Sequence, residues 1–275
     1  MSSQWGETLN FEGRHTLAPT CPETQPLPRT HARGQLPLGN LAPGQAMSLA
    51  GISLRAFALG FTACLGLLST VLVLALTSSP LWRIPFFLCA LSTFHFLEFW
   101  TTAAANTPEA TVHAFLLTAN WPAYPIAHMV ACVECVLTNV VFPSRGWAPL
   151  GLSTVLMLTG LVMVVGGQTV RSVAMLTAGQ SFNHTVQTKK ADSHTLVTTG
   201  VYGLCRHPSY FGFFYWGLGT QLVLGNLVCF LGYAYVLWKF FSSRVEVEEG
   251  GLVKFFGDDY VQYRKRVGTM IPFVG

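Results

Sequence analysis

Charge is the scarcest property of this chain. Asp, Glu, Lys and Arg make up 10% of its 275 residues, against roughly 25% in soluble domains, and that shortage excludes an ordinary water-soluble globule. The sequence also lacks a glycine-rich phosphate loop, a nucleophile elbow and a metal-binding triad, the signatures of nucleotide, serine-hydrolase and metallohydrolase chemistry. Its seven cysteines are scattered. Cys132 and Cys135 form one CxxC, a turn apart in an apolar segment with no second pair or His cluster, so neither zinc nor thioredoxin chemistry is supported and both read as small apolar filler. No basic segment followed by an apolar core and a small-residue cleavage site marks a secretory signal. Neither a metal nor a nucleic acid is expected as a partner.

What is abundant is apolar surface: 51% of residues, with a mean hydropathy of +0.45. Runs near the ~20 residues needed to cross a bilayer fall at Ala56 to Thr77, Ile84 to Ala105, Ala123 to Phe142 and Pro149 to Gly167. Two shorter runs, Pro208 to Leu224 and Asn226 to Phe241, are separated only by Gly225. The pattern predicts an all-α polytopic membrane protein of about six spans, ending in a tight helical hairpin. An even number of spans puts both termini on one side. That side holds Arg14, Arg29, Arg33, Arg55, Arg171, Lys189, Lys190, Arg206, Arg244, Lys254, Arg264, Lys265 and Arg266, and the other only Arg83 and Arg145. The positive-inside bias therefore makes both ends cytosolic. The net charge of +4 fits attraction to an anionic leaflet. Residues 1–53 form a hydrophilic leader, with six prolines in the first fifty residues, and are expected to be disordered. Residues 54–167 hold four spans, and 168–275 form a catalytic region.

Polar residues inside the spans are few. His95 and Glu98 share one helix face, and His128 and Glu134 lie in the third span; such groups turn inward, as a structural network or as catalytic groups. Trp100 and Trp121 sit at span ends as interfacial anchors. The longest polar stretch between spans, Gln168 to His207, contains the β-prone Thr195 to Val201, where a short extended element and a turn at Gly200 are expected. A loop of that length is functional more often than not and would cap the cytosolic face.

Pro208 occupies a first helical position, so Arg206 and His207 precede a helix N-terminus that attracts anions, with the hydroxyls of Ser209 and Tyr210 alongside. The cluster suits a carboxylate or phosphate, or faces lipid headgroups. The last span is expected to continue into water through Arg244 and Glu248, four apart on one face, until Gly250 and Gly251 weaken it by about 1 kcal/mol each. An exposed ion pair there contributes only ~0.3 kcal/mol, so stability alone is a poor reason for that charged face. Gly212, Gly217 and Gly219 permit close helix packing or cofactor access. Phe211, Phe213, Phe214, Tyr215 and Trp216 read as packing surface or as the wall of a lipid channel. The closing segment, Phe255 to Val274, is expected to lie on the membrane surface.

At these residues the chain resembles the isoprenylcysteine carboxyl methyltransferases, membrane enzymes of the endoplasmic reticulum. The resemblance runs from about Leu54 to Phe273 and is densest in AGQSFNHTVQ, HTLVTTGVYGLCRHPSYFG and FFGDDYVQYRKRV. It implies an S-adenosylmethionine site formed by Gln187, His194, Thr195, Leu196, Val197, Tyr202, His207, Pro208, Ser209, Tyr210 and Glu248. Arg244 would contact the substrate carboxylate and act with Glu248 at the catalytic centre. The implied substrate is a protein whose carboxyl-terminal cysteine carries a farnesyl or geranylgeranyl thioether, presented among membrane lipids. Relatives often have an unbroken acidic run after the arginine, where this chain has Val247 and then Gly250 and Gly251. Two other readings share part of the motif set: a phospholipid N-methyltransferase, and a sterol reductase using a nicotinamide cofactor. A catalytically inactive membrane scaffold is a third.

Overall fold

The computed structural model describes residues 38–119, 122–142, 151–187 and 194–275, and among these it is helical with no strand. Its helices are α1 (Leu49–Leu76), α2 (Arg83–Ala105), the single turn α3 (Leu116–Ala119), α4 (Ala123–Val141), α5 (Leu152–Ala178), α6 (Pro208–Leu224), α7 (Val228–Phe256) and α8 (Asp258–Arg266). Of the leader expected over 1–53, residues 1–37 lie outside the described residues, as do Trp121, Arg145, Lys189 and Lys190. The first helix begins at Leu49, ahead of the apolar run read from Ala56, where Ser48 accepts the Gly51 N–H at 3.1 Å, a side-chain N-cap.

Four helical segments, Leu49–Leu76, Pro80–Ala105, Ala123–Val141 and Leu152–Ser181, are long and apolar enough to cross a membrane. The two hairpin helices expected as the fifth and sixth spans form, but they are not among these four. Helix α6 has 17 residues and α7 has 29, the second half of α7 carrying Arg244, Glu246, Glu248 and Glu249. Gly225 closes α6 in the left-handed conformation, φ 74°, which glycine adopts without a Cβ penalty. The turn is pinned to α4 from both sides. Asn226 donates to the Ala131 carbonyl at 2.9 Å, and Glu134 accepts the N–H groups of Leu227, Val228 and Cys229 at 2.7–2.8 Å. A carboxylate on free N–H groups at a helix start is electrostatically favoured, so Glu134 holds the hairpin rather than facing a catalytic interior.

Helices α5 and α6 pack antiparallel through paired glycines. A Cβ on Gly160 would stand 2.7 Å from the Gly219 carbonyl oxygen, and one on Gly167 2.6 Å from that of Gly212. The backbones therefore touch directly, the small-residue packing common in membranes. Gly217 instead faces Leu237 of α7. The three glycines read from the sequence as packing or access points are packing points.

Two boundaries differ from expectation. Helix α5 does not end near Gly167 but runs to Ala178, because Gly160, Val164, Gly167, Arg171 and Ala174 form one continuous buried face; the polar loop is correspondingly shorter. Helix α7 passes through Gly250 and Gly251 to Phe256, since packing beyond the glycines outweighs about 2 kcal/mol of propensity. The stretch Thr195 to Thr198 forms no ladder, and the turn is a 3-10 turn at Gly200–Gly203.

Gly167→Ala is expected to lower the midpoint of thermal unfolding in detergent, overpacking costing about 1–3 kcal/mol. Gly166→Ala, whose Cβ would meet nothing within 4 Å, is expected to leave it unchanged or raise it; equal responses would contradict the backbone contact.

Candidate active site

The start of α6 is fastened before anything else is placed on it. Arg206 Nε donates to Glu249 Oε1 at 2.8 Å, and Nη1 donates to the carbonyls of Arg264 at 3.2 Å and Val267 at 2.6 Å. His207 Nε2 lies 3.3 Å from the same Glu249 oxygen, and Arg264 Nη1 donates to Glu249 Oε2 at 3.4 Å. This buried cluster ties α6 to α7 and to the exposed carbonyls at the end of α8. Burial pushes the Glu249 carboxyl up, but the hydrogen bond from His207 and the Arg206 charge outweigh it and hold the pKa at about 2, so Glu249 is ionised at neutral pH. Arg206 is thus already neutralised, which corrects its reading as a free anion-binding cation. Glu249 was missed because its neighbour Glu248 matches the motif. The available signal was helical phase: Phe241, Val245 and Glu249 are four apart and all buried.

Two cavities flank this point. The narrower one is walled by Thr195, Leu196, Val197 and Tyr202 from the loop, His207, Pro208, Ser209 and Tyr210 around the start of α6, Glu248 and Leu252 from α7, and Tyr260 and Tyr263 from α8. The wider one, about 370 Å³, is in the ordinary range for small-molecule pockets, roughly 300–1,000 Å³. Arg244, Phe213, Phe240, Phe241, Arg171 and His184 are among its walls, with Glu109, Thr111 and His113 at the α2–α4 connection. Phe182, Asn183, Ser209 and Tyr210 belong to both cavities.

Tyr210 is the centre of that shared wall. Its hydroxyl accepts from Arg244 Nε at 2.8 Å and donates to Glu248 Oε2. Arg244 and Glu248 therefore share a helix face as expected, yet they meet through the phenol rather than as an ion pair. The Tyr210 ring is stacked on His207 and on Phe241, with centroids 5.4 and 5.1 Å apart, and the Arg244 guanidinium stands 5.5 Å from its centroid, within cation–π range. Arg244 Nη2 also donates to the His184 carbonyl. Among the described residues no carboxylate lies within ion-pair distance of Arg244, although it faces the wider cavity.

The polar residues of α2 position the loop below. Glu98 takes both Nε and Nη2 of Arg171, whose Nη1 donates to the Ser209 carbonyl at 3.0 Å and hydroxyl at 2.9 Å. This bidentate pair fixes Ser209 in the shared wall. Thr102 Oγ1 is 3.1 Å from His184 Nε2, and Asn106 Nδ2 donates to the Phe182 carbonyl at 3.0 Å. Burial draws the His184 pKa down to about 4; the Glu98 charge opposes this, and those of Arg171 and Arg244 add to it. His184 is therefore neutral at physiological pH. Arg171 lies within α5 and belongs to this buried group, rather than to the polar loop read from Gln168. The network read for His95 is only partly present: His128 Nδ1 lies 2.7 Å from the Tyr233 hydroxyl, whereas the His95 nitrogens have no hydrogen-bond partner among the described residues.

Of the residues singled out in the sequence, Gln187 and His194 are not walls of either cavity. The Gln187 side chain folds back on Thr185, with both bonds at 3.1 Å. The closing segment does not simply lie on a surface, because its Tyr260 and Tyr263 are buried in the narrower cavity.

Residues 159–254 match the model of the isoprenylcysteine carboxyl methyltransferase family. The chain is 43% identical over 223 residues to the protein-S-isoprenylcysteine O-methyltransferase of Xenopus laevis, covering 81% of this chain and 74% of that one. To the protein of the same name from Saccharomyces cerevisiae it is 46% identical over 189 residues, 68% of this chain and 79% of that one. A solved structure of a eukaryotic intramembrane Ras methyltransferase, isoprenylcysteine carboxyl methyltransferase, superposes with a TM-score of 0.71 at 36% identity, covering 82% of this chain and 77% of that chain.

The two adjacent glutamates are expected to separate experimentally. Glu249→Gln strands buried Arg206, a loss of about 3 kcal/mol, and lowers the unfolding midpoint in detergent by roughly 6–12 °C. Glu248→Gln leaves the midpoint near wild type. Similar midpoints for the two variants would contradict the structural assignment of Glu249.

Proposed function

Because the chain belongs to the isoprenylcysteine carboxyl methyltransferase family, we propose that it transfers a methyl group from S-adenosylmethionine to the carboxylate of a carboxyl-terminal prenylcysteine on a processed protein. The observation that carries this reading is Arg244, a guanidinium with no carboxylate partner among the described residues, facing a cavity that adjoins a second one holding the Glu248 carboxylate. The phospholipid N-methyltransferase and sterol reductase readings find no support among the relatives reported above. The reading extends to an endoplasmic reticulum enzyme whose active site and termini face the cytosol, and to 168–275 as its catalytic region.

When bound, S-adenosylmethionine supplies a methyl group on a positively charged sulfur. The narrower cavity suits such a molecule on two counts. Glu248 presents a carboxylate there, and the buried Tyr260 hydroxyl has no partner among the described residues. Thr195, Leu196, Val197, Tyr202, His207, Pro208, Ser209 and Tyr210 would hold it. Gln187 and His194, outside the cavity wall, would act only through the loop that carries them.

On the other side of the shared wall, Arg244 would orient the acceptor carboxylate. That group is already ionised at neutral pH, so no residue need act as a general base, and His184, neutral and hydrogen-bonded to Thr102, is not asked to. The work left to the protein is alignment and exclusion of water: Arg244 and Glu248, joined by the Tyr210 hydroxyl, fix the two sides of the reaction relative to each other. Phe213 and Phe241 dry the wall. Phe240 lines the wider cavity yet is 50% exposed, in the part of α7 before its charged half, and offers a sideways opening for a prenyl chain arriving from lipid. Lipid already solvates such a chain, so the opening delivers and orients more than it adds affinity.

Arg244→Ala is expected to reduce kcat/KM for N-acetyl-farnesylcysteine by roughly 10- to 100-fold, the loss of a charge-assisted contact. Its affinity for S-adenosylhomocysteine should stay close to wild type. Equal losses in turnover and in cofactor affinity would refute the assignment of Arg244 to the acceptor.

A further inference from the structure

The two tyrosines that α8 sends into the narrower cavity are not equivalent. The Tyr263 hydroxyl donates to the Tyr202 carbonyl at 2.6 Å, which anchors α8 to the loop. Tyr260 is 1% exposed and its hydroxyl, equally shielded from solvent, has no hydrogen-bond partner among the described residues. A buried hydroxyl left unpaired is unfavourable and uncommon. A phenylalanine would fill the same space without that defect, so the hydroxyl is accounted for if a ligand completes it.

The position of Tyr260 restricts which part of a ligand that can be. The reacting end has to lie at the wall common to both cavities, formed by Phe182, Asn183, Ser209 and Tyr210, because Arg244 faces the wider cavity. Tyr260 is not part of that wall; with Leu252, Phe256 and Tyr263 it closes the narrower cavity only. Helix α8 is carried there by Gly257, φ 56°, and held at its far end by Arg206 on the carbonyls of Arg264 and Val267. Tyr260 thus stands on a braced element. Burial, then the neighbouring Glu249 charge, push its phenol pKa upward, so the proton is retained and the hydroxyl is available as a donor.

We infer that Tyr260 is a binding residue for the methyl donor, its hydroxyl donating a hydrogen bond to an acceptor on the part of that molecule remote from the transferred methyl. The acceptor is either the carboxylate of the amino-acid portion or an oxygen or nitrogen of the adenosine portion. The inference rests on assigning the narrower cavity to the donor.

The test compares full-length wild type, Tyr260→Phe and Tyr263→Phe in detergent, measuring ligand-free thermal unfolding and the binding of S-adenosylhomocysteine and 5′-methylthioadenosine. Tyr260→Phe is expected to unfold at the wild-type temperature or above it, because no internal bond is lost, and to bind S-adenosylhomocysteine about 3- to 10-fold more weakly. Tyr263→Phe, which loses its bond to Tyr202, is expected to unfold at a lower temperature. A loss for S-adenosylhomocysteine alone places the acceptor on the amino-acid portion; a loss for both ligands places it on adenosine. Unchanged affinity for both ligands in Tyr260→Phe, or a ligand-free midpoint lowered as in Tyr263→Phe, would overturn the inference. Failure of wild type to bind S-adenosylhomocysteine would instead remove the assignment of the cavity itself.

Discussion

The hydroxyl of Tyr210 is the point on which the account turns. One oxygen accepts from Arg244 and donates to Glu248, and those side chains face different cavities. A single phenol thereby sets the spacing between a cation suited to one carboxylate and a carboxylate suited to one cation. For a reaction in which two opposite charges meet and cancel, fixing that spacing in a dry wall is most of what a protein can contribute. The surrounding aromatics serve the same end: His207 and Phe241 both stack on the ring and restrain the hydroxyl.

That precision depends on how the helices beneath are held. Glycine pairs bring the backbones of α5 and α6 into contact, which puts Arg171 of one helix against Ser209 of the other. Glu98 then neutralises Arg171 in a setting where an unpaired charge would be prohibitive. At the start of α6, Glu249 does the same for Arg206, and Arg206 closes the end of α8. Two buried ion pairs, one within the bundle and one at its mouth, thus bracket the residues proposed for chemistry. Both spend their charges on position, leaving Arg244, among the described residues, as the arginine without a carboxylate partner on the cavity proposed for the acceptor.

Much of this was legible in the sequence where local rules act alone. The hairpin appears because Pro208 starts a helix and Gly225 ends it, and α2 and α4 begin and end within a residue or so of their apolar runs. The motif residues around Pro208 and the Arg244–Glu248 face were found from capping and four-residue spacing. What was lost depended on tertiary contacts. Arg171 looked like loop charge because hydropathy falls before α5 does, and only its alignment with Gly160 and Gly167 betrays a buried role. Gly250 and Gly251 looked like a helix end, but Leu252 and Phe256 beyond them reach the narrower cavity, and that packing prevails over intrinsic preference. Glu249 and Glu248 are distinguishable only once the helix phase is known. Tyr260 resembles any aromatic of an interfacial segment until its hydroxyl is seen to be buried and unpaired.

Adjoining cavities separated by one wall carry a direct consequence for the proposed function: under it, the two reactants occupy the protein together. The decisive measurement is equilibrium binding of N-acetyl-farnesylcysteine to protein already saturated with S-adenosylhomocysteine. Binding with an affinity close to that for the unliganded protein, giving a ternary complex, is the predicted result. Mutually exclusive binding would mean that both molecules compete for one space, and would contradict the arrangement around Tyr210.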